Sequence, residues 1–306
     1  MMTSVIITAM MTTNIKTREA FPLGDVDAPG TVASTSTQRT CLVNTPVVAS
    51  DVPATPLLDL VGKTAVVTGG SKGIGAAIVA RFVKGGARVV TSGRSQPDSL
   101  PAGVEYVVAD VATVDGVNHL ARRAQEILGD VDVVVNNAGA SRPHLGGVLD
   151  IDDAEWVADL DVNFLAAVRL NAALLPAMYA RGKGSIVNVS SAVTLSPPPA
   201  MLHYACAKAA LATYTSGLAA EAGPRGVRVN TLTPGNVASP GADAIRQAIV
   251  DAVGSDSPES GGTAIPLGRM GEGSDIAEAI AFLASDRAAW ITASNLVVDG
   301  GQVQAG

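Results

Sequence analysis

Short runs of apolar residues alternate with longer amphipathic stretches from Gly62 to the end of the chain. The short runs predict strands that are buried on both faces, because such strands are apolar throughout instead of alternating with polar residues. The longer stretches predict helices. Strands are predicted at residues 63–67, 88–91, 104–109, 131–135, 185–189, 228–231 and 295–298. Helices are predicted at residues 76–84, 113–128, 153–181, 203–221 and 275–284.

This alternation predicts a parallel sheet with helices on both faces. The fold class is therefore α/β: a Rossmann-type, doubly wound parallel sheet in a single domain. Residues 57–306 are predicted to form this catalytic domain. Residues 1–56 are rich in Thr, Ser, Val, Ala and Pro and have little periodicity, so we expect a disordered N-terminal extension. A targeting peptide or a start codon placed too far upstream are the alternatives for this segment.

Composition excludes several classes of protein. The net charge of −7, without a stripe dense in Lys and Arg, argues against a nucleic-acid surface. No apolar run reaches the length of a membrane span, so no membrane partner is expected. Two cysteines are too few for a disulfide framework, and no Cys/His cluster has metal-ligand spacing, so no metal is expected. We expect a cytoplasmic protein, with Cys206 as a small core residue.

Two local patterns carry chemistry. Tyr204 and Lys208 lie four residues apart on a predicted helix, so both side chains can face one cleft. A neighbouring ammonium favours the phenolate, which would bring the pKa of the tyrosine toward neutrality and allow proton transfer. The turn Thr68-Gly-Gly-Ser-Lys-Gly-Ile-Gly75 suits the pyrophosphate of a dinucleotide, because backbone and a helix N-terminus can approach it closely. Each pattern alone is common by chance, but their joint occurrence predicts coupled proton and hydride transfer.

With further motifs, the chain resembles the classical short-chain dehydrogenase/reductase family over about residues 57–301. The matching pieces are Thr68-Gly-x-x-x-Gly73-Ile-Gly75, Asp110, Asn136-Asn-Ala-Gly139, Asn163, Ser191, Tyr204-x-x-x-Lys208, Pro234-Gly235 and Asp299-Gly-Gly301.

The resemblance implies four catalytic residues. Tyr204 would donate or accept the proton, and Lys208 would lower its pKa and hold the nicotinamide ribose. Ser191 would hydrogen-bond the substrate oxygen, and Asn163 would hold a water in a proton relay. The cofactor-binding residues are expected to be Gly69, Ser71, Lys72, Gly73, Ile74, Gly75, Arg94, Asp110, Val111, Asn137, Ala138, Gly139, Tyr204, Lys208, Pro234, Gly235, Val237 and Ser239.

Charge indicates which dinucleotide is preferred. An acid at the end of the second strand would bind both ribose hydroxyls and repel a 2′-phosphate. Here that place is Gly93, followed by Arg94, and Lys72 lies in the glycine turn. Cations without an acid favour the 2′-phosphate, so NADP(H) is the expected cofactor. NAD(H) is the alternative if Arg94 and Lys72 are only solvated surface residues.

The expected activity is hydride transfer between NADP(H) and a carbonyl or secondary alcohol of a small or medium organic substrate. One alternative is a 3-oxoacyl-carrier-protein-type reductase, and another is a catalytically silent nucleotide-binding regulator. The family resemblance and the apolar helices at 153–181 and 203–221 indicate a homo-oligomer, namely a tetramer. Residues 236–273 are expected to form a mobile lid. His144 is expected at the pocket rim and His203 beside a helix start, while Ala293 stands where the family usually has glycine.

Overall fold

Seven parallel strands form one sheet in the order β3-β2-β1-β4-β5-β6-β7. The computed structural model describes residues 58–253 and 265–303. The predicted extension at residues 1–56 lies outside this range. The strand order reverses between β1 and β4, which confirms the doubly wound sheet and opens a crevice at the carboxyl ends of these two strands. The strands are β1 Thr64–Thr68, β2 Arg88–Gly93, β3 Val104–Val108, β4 Val133–Asn136, β5 Gly184–Val189, β6 Val227–Pro234 and β7 Asn295–Val298.

Helices cover both faces of the sheet. They are α1 Gly73–Lys84, α2 Val114–Leu128, α3 Asp153–Leu160, α4 Ala166–Arg181, α5 Leu202–Ala222, α6 Pro240–Val253 and α7 Gly273–Ala284. One buried apolar cluster joins the sheet to α2, α4 and α5, and a second joins it to α1 and α7. In β1, Val66 belongs to the first cluster, whereas Ala65 and Val67 belong to the second. Successive side chains of a strand point to opposite faces, which explains why the strands are apolar throughout.

The helix predicted at 153–181 is interrupted. A π-helical turn at Asp161–Leu165 separates α3 from α4. Such turns insert one extra residue into a helix and rotate the side chains that follow. In this turn Asn163 is buried. The sequence pattern did not reveal the interruption, because both halves keep an apolar inner face.

By length and composition, Asp153–Arg181 could cross a membrane. In this fold, however, α3 packs against α5, and α4 packs against α2 and the strands β4 and β5. The inner side chains of α4, among them Leu170, Leu174 and Met178, lie in the apolar core on one face of the sheet. We therefore interpret this stretch as a core helix pair.

The segment expected as a lid contains the helix α6, and its part at 254–264 lies outside the described residues. One expectation about α5 needs correction. Cys206 is exposed instead of belonging to the core. Helix α5 turns His203, Ala207 and Leu211 inward, and Cys206 falls on the side that these residues leave to solvent.

The described domain begins with residues that the core requires. Leu60 is fully buried, and its N–H donates to the carbonyl of Gly85. Both carboxylate oxygens of Asp59 accept from Arg81 of α1, at 3.0 and 2.9 Å. The Arg81 and Asp59 side chains are only 7% and 4% exposed, and Arg81 also donates to Glu278 at 2.7 Å. Removing Asp59 would therefore take one of two counter-charges from a buried guanidinium. The folded domain thus includes the residues directly after position 57.

Candidate active site

The glycine turn between β1 and α1 has no room for side chains at two positions. A Cβ on Gly70 would lie 2.0 Å from Oγ1 of Thr91, and one on Gly75 would lie 2.1 Å from the carbonyl oxygen of Gly69. Gly69 and Gly73 have φ values of +71° and +57°, which side chains rarely tolerate. No side chain caps the start of α1, so its first N–H groups are left for an anionic ligand.

The loop after β4 is tied to this turn by hydrogen bonds. The Thr68 hydroxyl accepts from the backbone N–H groups of Asn137 and Ala138, both at 3.0 Å. Nδ2 of Asn137 donates to the carbonyl of Thr68 at 2.9 Å. These bonds make the predicted Asn-Asn-Ala-Gly segment one rigid wall of the crevice.

The same loop continues into the predicted catalytic residues. A Cβ on Gly139 would lie 2.9 Å from Oδ1 of Asn163 and 3.4 Å from Nζ of Lys208. Asn163 donates to the carbonyl of Ala140 at 2.8 Å and accepts from its N–H at 3.3 Å. Its side chain therefore holds the loop in place. The absence of a side chain at Gly139 lets Lys208 and Asn163 approach the loop backbone.

A buried amide network below this loop was not foreseen from the sequence. Nδ2 of Asn136 donates to Oδ1 of Asn171 and of Asn188, at 2.9 and 2.8 Å. Asn188 in turn donates to Oγ1 of Thr215 at 2.8 Å. The network links β4 and β5 to α4 and α5, and it fixes the strand ends that bear the site. The sequence signal that could have indicated this network is three asparagines, Asn136, Asn171 and Asn188, at inward positions of otherwise apolar segments.

Tyr204 and Lys208 share one face of α5, as predicted. Lys208 is buried, its Nζ donates to the carbonyl of Val189 at 2.9 Å, and this nitrogen lies 5.8 Å from the centre of the Tyr204 ring. Burial lowers the pKa of Lys208 to about 8, while the Asp159 carboxylate opposes that shift.

The expected lowering of the tyrosine pKa is wrong for the protein alone. Burial raises the pKa of Tyr204 to about 12, the Ser191 hydroxyl opposes this shift, and Asp159 adds to it. Lys208 Nζ lies 5.8 Å from the ring centre and donates to a backbone carbonyl, and its charge is not among the causes of the Tyr204 pKa shift. In this state Tyr204 is protonated near neutral pH.

Ser191 follows β5 and lies next to the tyrosine. Its hydroxyl accepts from the N–H of Val193 at 3.4 Å and begins a short turn. The neighbouring Ser190 is buried at 4% exposure, whereas Ser191 is partly exposed. This difference makes Ser191 the more accessible of the two serines at the end of β5.

The remaining predicted cofactor residues lie at the carboxyl edge of the sheet. The side chains of Val111 and Val237 are buried in the two apolar clusters, so only their backbone can meet a ligand. A Cβ on Gly73 would lie 3.3 Å from Cβ of Ser239, which places the start of α6 beside the glycine turn. Asp110 is exposed, and its carboxylate accepts from the N–H of Ala112. Ile74 is partly buried against the core. Pro234 is the last residue of β6, and Gly235 follows it.

A cavity of about 430 Å³ adjoins the glycine turn and the end of β2. Its lining residues are Ser71, Lys72, Arg94, Ser95, Gln96, Pro97 and Asp98. The sequence did not show that the two predicted cations face one cavity. At Gly93 a Cβ would lie 2.3 Å from the Tyr106 hydroxyl, which donates to the carbonyl of Ser95 at 2.7 Å. Tyr106 thus occupies the space that an acidic side chain at position 93 would need.

Comparison with known proteins agrees with this geometry. A family model described as enoyl-(acyl carrier protein) reductase matches residues 69–302. The 3-oxoacyl-[acyl-carrier-protein] reductase FabG of Escherichia coli is 34% identical over 247 residues, covering 78% of this chain and 97% of the relative. Human dehydrogenase/reductase SDR family member 4 is 35% identical over 251 residues, covering 79% and 88%. A solved structure from Burkholderia xenovorans, described as a short-chain dehydrogenase/reductase, superposes with a TM-score of 0.72 at 32% identity, covering 81% of this chain and 99% of that one.

Proposed function

Because this chain belongs to the short-chain dehydrogenase/reductase family of oxidoreductases, we propose that it interconverts a carbonyl and a secondary alcohol with NADP(H). The observation that carries this proposal is the hydrogen-bonded loop that connects the glycine turn to Tyr204, Lys208 and Ser191. A dinucleotide bound at the turn would extend along this loop toward the tyrosine. The cofactor supplies or accepts the hydride.

The chain's own residues would handle the proton and the substrate. Tyr204, protonated at neutral pH in the protein alone, would donate its proton to the carbonyl oxygen during reduction. Ser191 would hydrogen-bond the same oxygen and stabilise the negative charge that develops there. Lys208 is held by the carbonyl of Val189 and would bind ribose hydroxyls of the cofactor. Asn163 would act by holding the loop at Ala140.

The residues of the crevice suit a dinucleotide. The glycine turn leaves backbone open where a Cβ on Gly70 or Gly75 would collide, and the start of α1 has no side-chain cap. Pyrophosphate needs such free backbone N–H groups. The adjoining cavity contains Lys72 and Arg94, and Tyr106 fills the place of an acid at Gly93, so we assign NADP(H) over NAD(H).

A 3-oxoacyl-[acyl-carrier-protein] reductase is the second candidate, because the FabG relatives carry this name. Such an enzyme would present free cations beside the pocket to an acidic carrier protein. Here Arg142 donates to Glu155 at 2.9 Å, and Arg169 donates to Asp161 at 2.6 Å. Their charges are already balanced, so we favour a small or medium free carbonyl compound over a carrier-bound thioester.

We further propose a cytoplasmic homotetramer, by analogy with the family and from the apolar character of α4 and α5. Light scattering on the purified protein at micromolar concentration tests the assembly. A monomer under these conditions would contradict it.

The proposed chemistry is tested by a panel of carbonyl compounds, alcohols and carrier-bound 3-oxoacyl thioesters, followed by nicotinamide absorbance with each cofactor. Tyr204→Phe should lower turnover by roughly 10²–10⁴-fold, because the ring remains and only the proton donor is lost. Cofactor binding, measured by nicotinamide fluorescence, should stay within about threefold. Substantial carbonyl reduction by this variant would contradict the assignment of Tyr204. Activity on thioesters alone would favour the second candidate.

A further inference from the structure

A cluster of five polar side chains lies beside the catalytic pair and has no place in the proposed reaction. His144 comes from the loop after β4, Glu155 from the first turn of α3, and His203 from the first turn of α5. One potential ligand atom from each of these residues lies within 4.8 Å of the other two. Ser141 and Asp159 complete the cluster from the His203 side.

Hydrogen bonding indicates which nitrogen of His203 carries the proton. The Ser141 hydroxyl donates its single proton to Oδ2 of Asp159 at 3.0 Å. The Ser141 oxygen lies 3.3 Å from Nε2 of His203 and can only accept there, so Nε2 is the protonated nitrogen. Nδ1 of His203 then bears a lone pair.

This lone pair is left without a partner. His203 is fully buried, and none of the described residues hydrogen-bonds its Nδ1. Nε2 of His144 is likewise buried without a hydrogen-bond partner and lies 3.6 Å from Oε1 of Glu155. Buried polar atoms normally have a partner, so two unpaired imidazole nitrogens in a cluster that also holds Glu155 call for a further group.

We propose that His144, Glu155 and His203 form a binding site for a divalent transition-metal ion of the zinc type. Two imidazole nitrogens and one carboxylate oxygen are a donor set that Zn²⁺ accepts, with a fourth position left open. Tetrahedral bonds of about 2.1 Å place ligand atoms roughly 3.4 Å apart, so a contraction on the order of 1 Å closes the site.

The surroundings of the three ligands fit a cation. Asp159, 4% exposed, has Oδ2 3.6 Å from Nε2 of His203, on the ring edge opposite the free Nδ1. A carboxylate on the far nitrogen of a ligating histidine is the usual outer partner in metal sites. Arg142 binds only Oε2 of Glu155, which leaves Oε1 available. Glu155 and Asp159 thus bring two carboxylates to the site, and the charge of Arg142 offsets one of them.

The site differs from the cofactor crevice, but it adjoins the catalytic pair. His203 directly precedes Tyr204, and the charge of Asp159 acts on both Tyr204 and Lys208. A bound ion would connect the loop after β4 to α3 and α5. It would thereby fix these three elements relative to one another.

Metal binding to the full-length chain, prepared without an affinity tag and stripped with a chelator, tests this proposal. Titration with Co²⁺ should give saturable visible bands of a four-coordinate ion at one ion per chain, and Zn²⁺ should displace it. His144→Gln and Glu155→Gln should each weaken Co²⁺ affinity at least tenfold. Circular dichroism verifies that both variants fold.

His119→Gln is the matched control, because this histidine lies in α2 and its ring contacts Arg122. Cys206→Ser controls for the exposed thiol. Both should bind Co²⁺ like the natural chain. Binding that is not saturable, that survives His144→Gln and Glu155→Gln, or that is lost in either control would overturn the proposal. Since the readout is metal binding, the result does not depend on the proposed enzymatic activity.

Discussion

Replacing Arg94 with aspartate is expected to move cofactor preference from NADP(H) toward NAD(H). Arg94 and Lys72 face one cavity beside the glycine turn. A charge-assisted hydrogen bond from Arg94 to a 2′-phosphate is worth about 1.5–3 kcal/mol. Its loss should change the ratio of kcat/KM for NADPH over NADH by roughly 10- to 150-fold. The new carboxylate also repels the 2′-phosphate, but solvent ions screen this repulsion because position 94 is exposed.

The matched substitution is Gly93→Asp, which places the acid one residue earlier. A Cβ there would lie 2.3 Å from the Tyr106 hydroxyl, so the ring must move and lose its bond to Ser95. We expect this variant to be less stable and to gain little NADH activity. Combining Gly93→Asp with Tyr106→Ala frees the space and should restore the gain.

Both cofactors are measured at constant ionic strength with one carbonyl substrate. A ratio that stays within twofold in Arg94→Asp would show that Arg94 does not contact the phosphate. If Gly93→Asp alone switched preference as strongly as Arg94→Asp, Tyr106 would not restrict that position. The first result would refute the assignment of this cavity to the 2′-phosphate, and the second would refute the obstruction of position 93 by Tyr106.

Three further outcomes are expected. A chain beginning at Leu57 should stay folded and active. One beginning at Lys63 loses the buried Leu60 side chain and the Asp59 partner of Arg81, and it should be at least about 2 kcal/mol less stable in urea unfolding; equal stability would contradict this. Ala293 has a φ of 58°, where a side chain strains the backbone, so Ala293→Gly should raise the free energy of unfolding by about 0.5–1 kcal/mol. The control Ala289→Gly, at a φ of −56°, should not raise it. Destabilisation by Ala293→Gly would show that the backbone at Ala293 is not strained. Chelator-treated, cofactor-free protein and its Tyr204→Phe variant are titrated with base and followed by ultraviolet absorbance, and the difference between them is the phenolate signal of Tyr204. This signal should appear only above pH 10, because burial raises the pKa of Tyr204 to about 12. Ionisation near pH 7 would contradict this.

The sheet was predictable because its central strands obey one rule. The strands β1, β4 and β5 read as apolar runs because they are buried on both faces, whereas the edge strands β3 and β7 are partly exposed. Helix α6 at Pro240–Val253 escaped prediction because glycine, serine and proline around it are typical of loops. The π turn at Asp161–Leu165 escaped because one inserted residue leaves the apolar pattern on both sides nearly unchanged.

Residues that belong to a local motif could be predicted from the sequence, whereas contacts between distant segments could not. The glycine turn and the Tyr204–Lys208 pair are local patterns, so their spacing was sufficient to predict them. The cluster of His144, Glu155 and His203 joins three separate elements, and no spacing rule connects these positions. The obstruction of Gly93 by Tyr106 likewise depends on how β2 and β3 pair, with Gly93 beside Val108 and Thr91 beside Tyr106.

The electrostatics of the tyrosine show where a charge argument from sequence falls short. Spacing alone suggested that Lys208 lowers the pKa of Tyr204, since opposite charges attract. In the fold, burial penalises both charged forms, raising one pKa to about 12 and lowering the other to about 8. Near neutral pH the cleft thus favours the phenol, which suits proton donation to a carbonyl oxygen. A phenolate, needed for alcohol oxidation, requires additional positive charge at the phenol oxygen. In the protein without ligand, the phenol is therefore the form that Tyr204 takes near neutral pH.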